Sequence, residues 1–202
     1  MKTLILASQS PRRSEILKKE KYFFVPFPVY VSEIPDKNLS LNEQIIDIAR
    51  RKAIACLDLY LAQSSEANPD AVILSADTMV CVDNLALGKP DDDEDATKTL
   101  KMLSDRVHQV KTAVYLIDLK NNEALSHIET TDVYFKKLTD DDISNYLKTR
   151  EHVDKAGSYG IQGQAKTFIE KFVGDYNNVV GLPIEAVKKI FSEQKWDLKR
   201  AE

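Results

Sequence analysis

The chain alternates between short, continuous apolar runs and longer stretches in which apolar residues recur at helical spacing. Apolar runs at 4–7 and 71–76 predict strands that are buried on both faces, and 79–82 predicts a further short strand. At 22–31, aromatic and β-branched residues are interrupted by two prolines, which is typical of an irregular or edge strand. These runs predict the strands of the N-terminal half of the chain.

A long hairpin is predicted further along. Residues 110–119 and 123–138 are rich in strand-forming residues and are separated by an asparagine pair, Asn121 and Asn122, that suits a turn. Helices are predicted where a start signal precedes apolar residues at helical spacing; they begin near Pro11, Ser40, Asp91, Thr139 and Pro183. The helix from Ser40 is expected to run to about Gln63, and a polar linker over 64–70 follows it.

The first turn of the N-terminal helix carries two adjacent arginines. Ser10 and Pro11 predict the helix start, so Arg12 and Arg13 lie at the positive end of the helix dipole, where cations are disfavoured. An anion held by free backbone N–H groups, the Ser8 hydroxyl and the guanidinium groups would offset this, and phosphate is the natural candidate. The alternative is that the arginines lie in solvent or pair with surface carboxylates. The motif alone favours neither.

Two further charged residues have both a functional and an ordinary interpretation. Glu33 lies where the strand at 22–31 gives way to a loop, a common position for a functional carboxylate, although an isolated loop glutamate is more often solvated. Lys52 lies on or beside the apolar stripe of the helix from Ser40. Its ammonium either reaches solvent past that stripe or points into a site as a charge for phosphate, and the residue alone favours the first.

Asp77 and Thr78 follow the apolar run at 71–76, so we expect them at the carboxyl end of that strand. Ligands of open α/β sheets bind outside the carboxyl ends of the strands, which makes an acid there a candidate metal ligand or general base. The alternative is an aspartate that caps a turn. The position favours a functional role.

Two later loops offer further groups for a phosphorylated ligand. Lys89 lies between a glycine and a proline in a rigid turn, from which it reaches either a phosphate or solvent. Three of the six glycines fall within 157–163, which indicates close backbone approach to a ligand or turns with positive φ. In the same loop Lys155 can neutralise phosphate, and the Gln162 amide offers a donor and an acceptor to a base edge. A plain turn with surface polar groups is the alternative.

Composition narrows the class of protein. The chain has 202 residues, 43% of them hydrophobic, which is enough for one domain with a substantial core. The net charge of −4 argues against a protein that coats nucleic acid. Cys56 and Cys81 are too far apart for a C-x-x-C motif and predict buried thiols in a reducing cytoplasm. We find no apolar stretch long enough for a signal-peptide core or a membrane span.

Taken together, seven motifs resemble those of the Maf family of nucleotide pyrophosphatases, also called septum formation inhibitor proteins. They occur in family order over roughly residues 3–192: S-x-SPRR, ADT, GKP, LS-x-x-x-H-x-V-x-TAV, TTDVYF, DKAG-x-YGIQG and NVVGLP. Asp105 stands where the family has a glycine after Leu-Ser, and residues 150–152 read Arg-Glu-His where Gly-Glu-Pro is common. Neither departure falls on a candidate site residue.

The resemblance implies an α/β fold: a single elongated, two-lobed domain with a mixed sheet, flanking helices and a central cleft, similar to inosine triphosphate pyrophosphatases. It also implies hydrolysis of a nucleoside triphosphate to the monophosphate and pyrophosphate with a divalent metal cation, Mg²⁺ or Mn²⁺, and a homodimer. The YGIQG ending resembles the branch that acts on dTTP and UTP. The branch that acts on 7-methyl-GTP has an acidic residue in place of Gln162.

Carried onto this sequence residue by residue, the family pattern assigns roles. The phosphate-binding groups are Arg12, Arg13, Lys52 and Lys89, to which Ser8 and Lys155 add. Glu33 and Asp77 would hold the metal through oxygen ligands, and Asp77 would also orient or deprotonate the attacking water. Thr78 and Gln162, with Arg12, match positions linked to the choice of base.

Two other functions stay open. One is a nucleotide-binding regulator of cell division or septum formation with little turnover, acting through a partner protein. The pair of Glu33 and Asp77 argues against it, since a pure binder has less need of two acids beside a polyphosphate. The other is an enzyme of the same class that removes modified pyrimidine nucleotides from the nucleotide pool.

Overall fold

The computed structural model describes residues 1–63 and 68–201, and the side chain of Gln63 is not described. These residues form strands β1 (Thr3–Ala7), β2 (Phe24–Pro26), β3 (Ala71–Val82), β4 (Leu85–Leu87), β5 (Val107–Asp118), β6 (Glu123–Phe135) and β7 (Ile169–Val173). The helices are α1 (Pro11–Lys19), α2 (Leu41–Gln63), α3 (Asp93–Leu103), α4 (Asp140–Leu147), α5 (Tyr176–Val180) and α6 (Ile184–Glu193). In the described ranges, we find no helix long and apolar enough to cross a bilayer.

The strands form one mixed sheet in the order β2-β1-β3-β5-β6-β7, and β4 pairs with β3. β1 is parallel to both of its neighbours, with Leu4 opposite Phe24 of β2 and Val72 of β3. β3 with β4, and β6 with β7, are antiparallel. The expected mixed α/β fold with helices against a mixed sheet is confirmed.

Helix starts follow the predicted capping chemistry. Ser40 and Glu43 form a capping box at α2, because the Ser40 N–H donates to Glu43 Oε2 at 2.9 Å and the Glu43 N–H to Ser40 Oγ at 3.4 Å. Thr139 and Asp142 form a second box at α4. Asp92 caps α3, so the acidic run at 91–95 begins a helix as predicted.

The two short strands predicted at 71–76 and 79–82 are a single strand, and Asp77 lies inside it rather than at its end. Pairing with β1 stops at Ser75, and pairing with β4 begins at Val80, so β3 exchanges one neighbour for another without leaving the sheet. Asp77 and Thr78 are the only half-buried positions in an otherwise buried strand. The prediction of a strand end was wrong because two polar residues do not stop a strand whose backbone stays paired.

Other boundaries also shift. Of the strand predicted at 22–31, only Phe24–Pro26 forms a strand, because Pro28 cannot donate to a ladder. It is an edge strand, as expected. Pro183 occupies the N-cap of α6 rather than its first turn. Residues 64–67 of the predicted polar linker lie outside the described residues.

The chain divides into two compact units. The first contains Met1–Asp77, Thr112–Glu129 and Gly181–Glu202, and the second contains Thr78–Lys111 and Thr130–Val180. The three long strands β3, β5 and β6 therefore each contribute residues to both. Whether the chain forms the expected two-lobed single domain stays a prediction.

In the first unit, α2 covers one face of the sheet. Ile5 of β1 and Ile73 of β3 share an apolar cluster with Ala53 and Cys56 of α2. Both cysteines of the chain are buried and unpaired, as predicted, and burial raises the pKa of the Cys56 thiol to about 12. This thiol is therefore protonated and inert under ordinary conditions.

The second unit has its own core around strand ends and two helices. Its buried residues come from β3, β5, β6, α3, α4 and the loops that follow: Val80, Val82, Leu100, Leu103, Val110, Val133, Phe135, Leu138, Ile143, Tyr146, Tyr159, Ala165 and Phe168. Phe135 lies edge-on to Tyr159 and Phe168, with ring centroids 4.8 and 6.0 Å apart. Aromatic packing therefore fixes the loops after α4 to the sheet.

A largely buried ion cluster lies in the first unit, beside the turn between β5 and β6. Lys2 Nζ lies 2.7 Å from Asp118 Oδ1 and 3.2 Å from Asp70 Oδ1, and the Asp118 side chain is fully buried. Asp118 also accepts hydrogen bonds from the Lys120 N–H and the Asn121 side chain. The same carboxylate thus neutralises Lys2 and orders the predicted asparagine turn.

We expect Asp118→Ala to lower the free energy of unfolding by roughly 2–3 kcal/mol, because Lys2 would stay largely buried with one partner fewer and the turn would lose its acceptor. Lys120→Ala is the control, since its ammonium is 62% exposed and 3.7 Å from Asp70, and should change little. Urea denaturation of both variants measures the difference. Equal losses would show that the buried cluster does not stabilise the fold.

His108 lies in the core of the second unit. It is 2% exposed, its Nε2 lies 2.7 Å from the Tyr159 hydroxyl, and its ring packs edge-on to Phe135 at 4.9 Å. Burial lowers the pKa of His108 to about 4. The folded chain therefore keeps this imidazole neutral across most of the acid range.

This burial predicts a pH dependence of stability. An unfolded histidine takes up a proton near pH 6.5 and folded His108 only near 4, so its contribution is complete above pH 6.5 and is lost as the pH falls towards 4. The loss should reach roughly 3 kcal/mol. Unfolding free energies measured from pH 7 to 4 should show this component in the wild type and in His127→Gln, at a histidine whose side chain is 40% exposed, and lack it in His108→Gln.

Candidate active site

One lysine and two carboxylates form the centre of the candidate site in the first unit. Lys52 Nζ lies 2.7 Å from Glu33 Oε1 and 2.7 Å from Asp77 Oδ1. The lysine side chain is 10% exposed and that of Asp77 13%, whereas Glu33 is 43% exposed. Three residues that the sequence singled out separately are therefore in direct contact.

Each of the three is delivered by a different kind of element. Lys52 lies on the buried side of α2, beside Ala53 in the apolar stripe. Asp77 occupies the polar interruption of β3, and Glu33 lies in the loop between β2 and α2. Of the two interpretations of Lys52, the solvent-directed one is wrong, because its ammonium ends on two carboxylates rather than in water.

Arg13 forms a second anchor beside this cluster. It is 8% exposed, its Nη1 donates to Ser8 Oγ at 3.0 Å, and its Nε donates to the Gly181 carbonyl at 2.8 Å. Ser8 Oγ also accepts from the Ser10 N–H at 3.2 Å. Arg13 therefore does not lie in solvent, and Ser8 orients it.

The charges of these groups act on one another. Burial raises the pKa of Asp77, and the Lys52 ammonium opposes that rise. Burial also lowers the pKa of Arg13, while the charges of Asp77 and Glu33 oppose the change. The opposite charges thus partly offset the effect of burial on Asp77 and on Arg13, and the removal of one member would leave another uncompensated.

The start of α1 has the features of an anion site that the sequence predicted. Ser10 is the N-cap residue, but its side chain makes no capping hydrogen bond, and the first turn contains no acidic residue. Arg12 is half-buried in that turn. Backbone N–H groups and cationic side chains are therefore concentrated at the positive end of the helix.

The loop that carries Glu33 is held from α2 by a residue that sequence reasoning missed. Arg51 donates from Nη1 to the Ser32 carbonyl and from Nη2 to the Ile34 carbonyl, the latter at 3.0 Å. Arg51 Nε lies 3.0 Å from Asp47 Oδ2. The i,i+4 spacing of Asp47 and Arg51 is visible in the sequence, but no pattern links either residue to Glu33.

The remaining predicted binding residues belong to the second unit: Thr78, Lys89, Lys155 and Gln162. Thr78 follows Asp77 in β3 and is half-buried; Lys89 is exposed between β4 and α3. Lys155 is half-buried and Gln162 is exposed, both in the loop after α4. The predicted site residues therefore form two groups, one in each unit.

Contacts inside the second unit explain the glycines of this loop. The Gly157 N–H donates to the Gly88 carbonyl at 3.0 Å, which joins the loop to the turn that carries Lys89. Gly157 has φ of 69°, and a Cβ there would lie 2.8 Å from Val80. A Cβ on Gly160 would lie 2.8 Å from Lys155 Cε. The positive φ expected of these glycines is confirmed at Gly157, and the close contacts are made with the chain's own side chains, while approach to a ligand stays a prediction.

The donor set at the centre suits a hard divalent cation that shares its ligands with phosphate. In the described part of the chain, we find no cluster of three or more His, Cys, Asp or Glu residues that could enclose a metal ion. Glu33 and Asp77 nevertheless present carboxylate oxygens to one ammonium from two sides. Mg²⁺ is commonly held by one or two carboxylates with substrate phosphates and water, so these residues fit it.

Sequence comparison gives consistent relatives. A family model described as Maf-like protein matches residues 3–194. A dTTP/UTP pyrophosphatase of Bdellovibrio bacteriovorus is 50% identical over 94% of this chain and 97% of its own length. Proteins of the same name from Pyrococcus abyssi and Caldicellulosiruptor bescii are 43% and 36% identical, over 93% and 100% of this chain and 94% and 100% of theirs.

Structure comparison supports the fold alone. A HAM1 protein from Coxiella burnetii matches 98% of this chain and 100% of its own, with a TM-score of 0.50 and 15% sequence identity. The sequence matches are more specific, because they extend over nearly the full length of both partners at 36–50% identity. On these grounds the chain belongs to the family of Maf-like proteins.

Proposed function

We propose that this protein is a nucleoside triphosphate pyrophosphatase that hydrolyses dTTP and UTP to the nucleoside monophosphate and pyrophosphate. The observation that carries the proposal is the contact of Lys52 with Glu33 and Asp77 at 2.7 Å each, beside the buried Arg13. The names of the full-length relatives supply the substrate class. Cleaving an α–β phosphoanhydride needs positive charge on the polyphosphate and an activated water, and this site has groups for both.

The phosphates would be held by cationic groups on pre-ordered elements. Arg12 and the first-turn N–H groups of α1 offer an anion site, and Arg13 adds a guanidinium whose position is fixed by Ser8. Lys52 supplies an ammonium at the acidic pair. From the second unit, the proposal adds Lys89 and Lys155 as further charges for the polyphosphate.

Glu33 and Asp77 would hold a divalent cation, Mg²⁺ or Mn²⁺. Bound there, the cation would neutralise charge on the phosphate oxygens as the bond to the leaving pyrophosphate breaks. Lys52 contacts both carboxylates, so it would compete with a cation for the same oxygens. The same ammonium is therefore available to phosphate when the carboxylates have another partner.

Asp77 is also the candidate general base. Its raised pKa, caused by burial, brings a carboxylate closer to the range in which it accepts a proton from water. The adjacent Lys52 ammonium, 2.7 Å from Asp77 Oδ1, opposes that rise and favours the carboxylate form. The proton would move from the attacking water to the Asp77 carboxylate, and the resulting hydroxyl oxygen would form the bond to phosphorus.

Base choice would depend on Thr78 and Gln162, together with Arg12. The Gln162 amide carries both a donor and an acceptor, which matches the alternating groups on the edge of uracil or thymine. It is exposed in the glycine-rich loop, and the turn of Lys89 is bonded to the same loop through Gly157. An acidic residue at Gln162 would accept only and would favour a different base edge.

The proposal extends to the cellular setting. Net charge of −4 is unfavourable for binding to nucleic acid, and buried, unpaired cysteines suit the reducing cytoplasm. We also propose a homodimer, as the family resemblance implies.

A nucleotide-binding regulator with little turnover is less favoured, because a binder has no use for a general base next to two cations. Modified pyrimidine nucleotides are further candidate substrates of the same reaction.

Asp77→Asn is expected to lower kcat by roughly 10²–10⁴-fold while the chain stays folded, because the amide keeps the shape of the side chain but cannot take a proton or balance Lys52. The measurement is pyrophosphate release from a panel of nucleoside triphosphates with Mg²⁺, with Mn²⁺ and with EDTA. Asp83→Asn is the matched control, since Asp83 directly follows β3 and pairs with Arg106 at the surface.

The same assay separates the competing functions. Release from dTTP and UTP that needs metal and is lost in Asp77→Asn but not in Asp83→Asn supports the enzyme. Nucleotide binding without release across the panel would support the regulator instead. Asp77→Asn with most of its activity would show that another group activates the water.

Gln162→Glu should reduce kcat/KM for dTTP and UTP by roughly 10–100-fold, with a smaller effect on other bases, because a donor towards the pyrimidine edge is replaced by a charge. Gln164→Glu makes the same change two residues along, at another exposed glutamine of the loop, and should leave selectivity unaltered. The ratio of kcat/KM for UTP to that for GTP is the readout. Equal ratios in both variants would exclude Gln162 as the selector.

A further inference from the structure

We propose that Arg51 is the positioning residue for Glu33: it fixes this carboxylate for the cation by holding the two peptide carbonyls on either side of it. The inference deepens the proposed function and rests on it for the role of Glu33. It concerns the one member of the acidic pair that does not lie on a strand or helix.

The two hydrogen bonds from Arg51 are made to the residues immediately before and after Glu33. The Arg51 guanidinium donates from Nη1 to the Ser32 carbonyl and from Nη2 to the Ile34 carbonyl, so the two bonds bracket Glu33. Glu33 is 43% exposed and Ile34 is 77% exposed, so little packing restrains this part of the loop. Backbone hydrogen bonds therefore have to supply the order that packing does not.

Arg51 is itself held. Its Nε lies 3.0 Å from Asp47 Oδ2, one turn earlier on α2, and its side chain is 27% exposed. The next residue along the helix, Lys52, contacts the Glu33 carboxylate at 2.7 Å. Two consecutive residues of a rigid helix thus hold the backbone of the loop and the side chain of Glu33.

The chemistry requires a guanidinium. Arginine has five N–H donors in a planar fork and can bond two carbonyls at once, whereas the lysine ammonium is a point charge on a flexible stem. A cation that took the Glu33 oxygen would replace the bond to Lys52, and the backbone clamp would still orient the side chain. Groups that orient metal ligands in this way commonly change metal affinity or activity by roughly 10–100-fold when removed.

The first test is the Mg²⁺ dependence of pyrophosphate release. Arg51→Ala should raise the Mg²⁺ concentration for half-maximal rate by about tenfold or more, and most of kcat should return at saturating Mg²⁺. Arg51→Lys should behave like Arg51→Ala rather than like wild type. Arg50→Ala is the matched control, because Arg50 neighbours Arg51 and also pairs with Asp47, at 2.7 Å, but does not bond the loop.

The second test needs no activity. A glutamate-specific protease cleaves after Glu33 only if the loop leaves its clamp, so cleavage at this bond, followed by mass spectrometry of the nucleotide-free protein, should accelerate about tenfold in Arg51→Ala and stay unchanged in Arg50→Ala. Unchanged cleavage in Arg51→Ala would overturn the proposal. So would wild-type Mg²⁺ dependence in Arg51→Lys, which would mean that charge alone suffices.

The two tests distinguish failure of the proposed function from failure of the role proposed for Arg51. If wild-type protein releases no pyrophosphate, the proposed function fails, and with it the catalytic consequence of the clamp. The protease experiment then still decides whether Arg51 fixes the loop. Faster cleavage in Arg51→Ala together with a raised Mg²⁺ requirement supports both.

Discussion

The buried ammonium of Lys52, in contact with Glu33 and Asp77 at 2.7 Å, is the interaction on which the rest of the site depends. Burying charged groups such as Lys52 and Asp77 costs free energy, which their contact with each other and with Glu33 offsets. Such a cluster is weak evidence for stability. Under the proposed function, its cost is the requirement of a site that would bring positive charge and a base to the same phosphate.

The continuity of β3 gives this cluster its rigidity. A strand that ended at Ala76 would leave Asp77 in a mobile turn, whereas here the backbone passes from the neighbour β1 to the neighbour β4 within a few residues. The carboxylate thus comes from an element whose position is fixed on both sides. Glu33 lies in a loop rather than in a strand, and the bonds from Arg51 to its flanking carbonyls help to fix it there.

The glycines from which the sequence predicts ligand binding also have structural roles. Gly157 is required by its φ of 69° and by the approach of Val80, and its N–H ties the loop of Gln162 to the turn of Lys89. The loop is also anchored through Tyr159, whose hydroxyl meets the buried His108 at 2.7 Å. The density of glycines in this loop is therefore explained first by the conformation and packing of the loop itself. Contact with a ligand would depend on that conformation.

The sequence by itself determined the helix starts, the buried strands and the identity of the charged groups, because capping, periodicity and motif spacing are local properties of the chain. Family motifs added the roles that we propose for Arg13, Asp77 and Gln162. Only the tertiary structure decided that Lys52 faces two carboxylates rather than solvent, that Asp77 lies inside a strand, and that Arg51 holds the Glu33 loop. These outcomes depend on contacts between residues 17 to 25 positions apart, or on which neighbour a strand pairs with, and no local pattern encodes either.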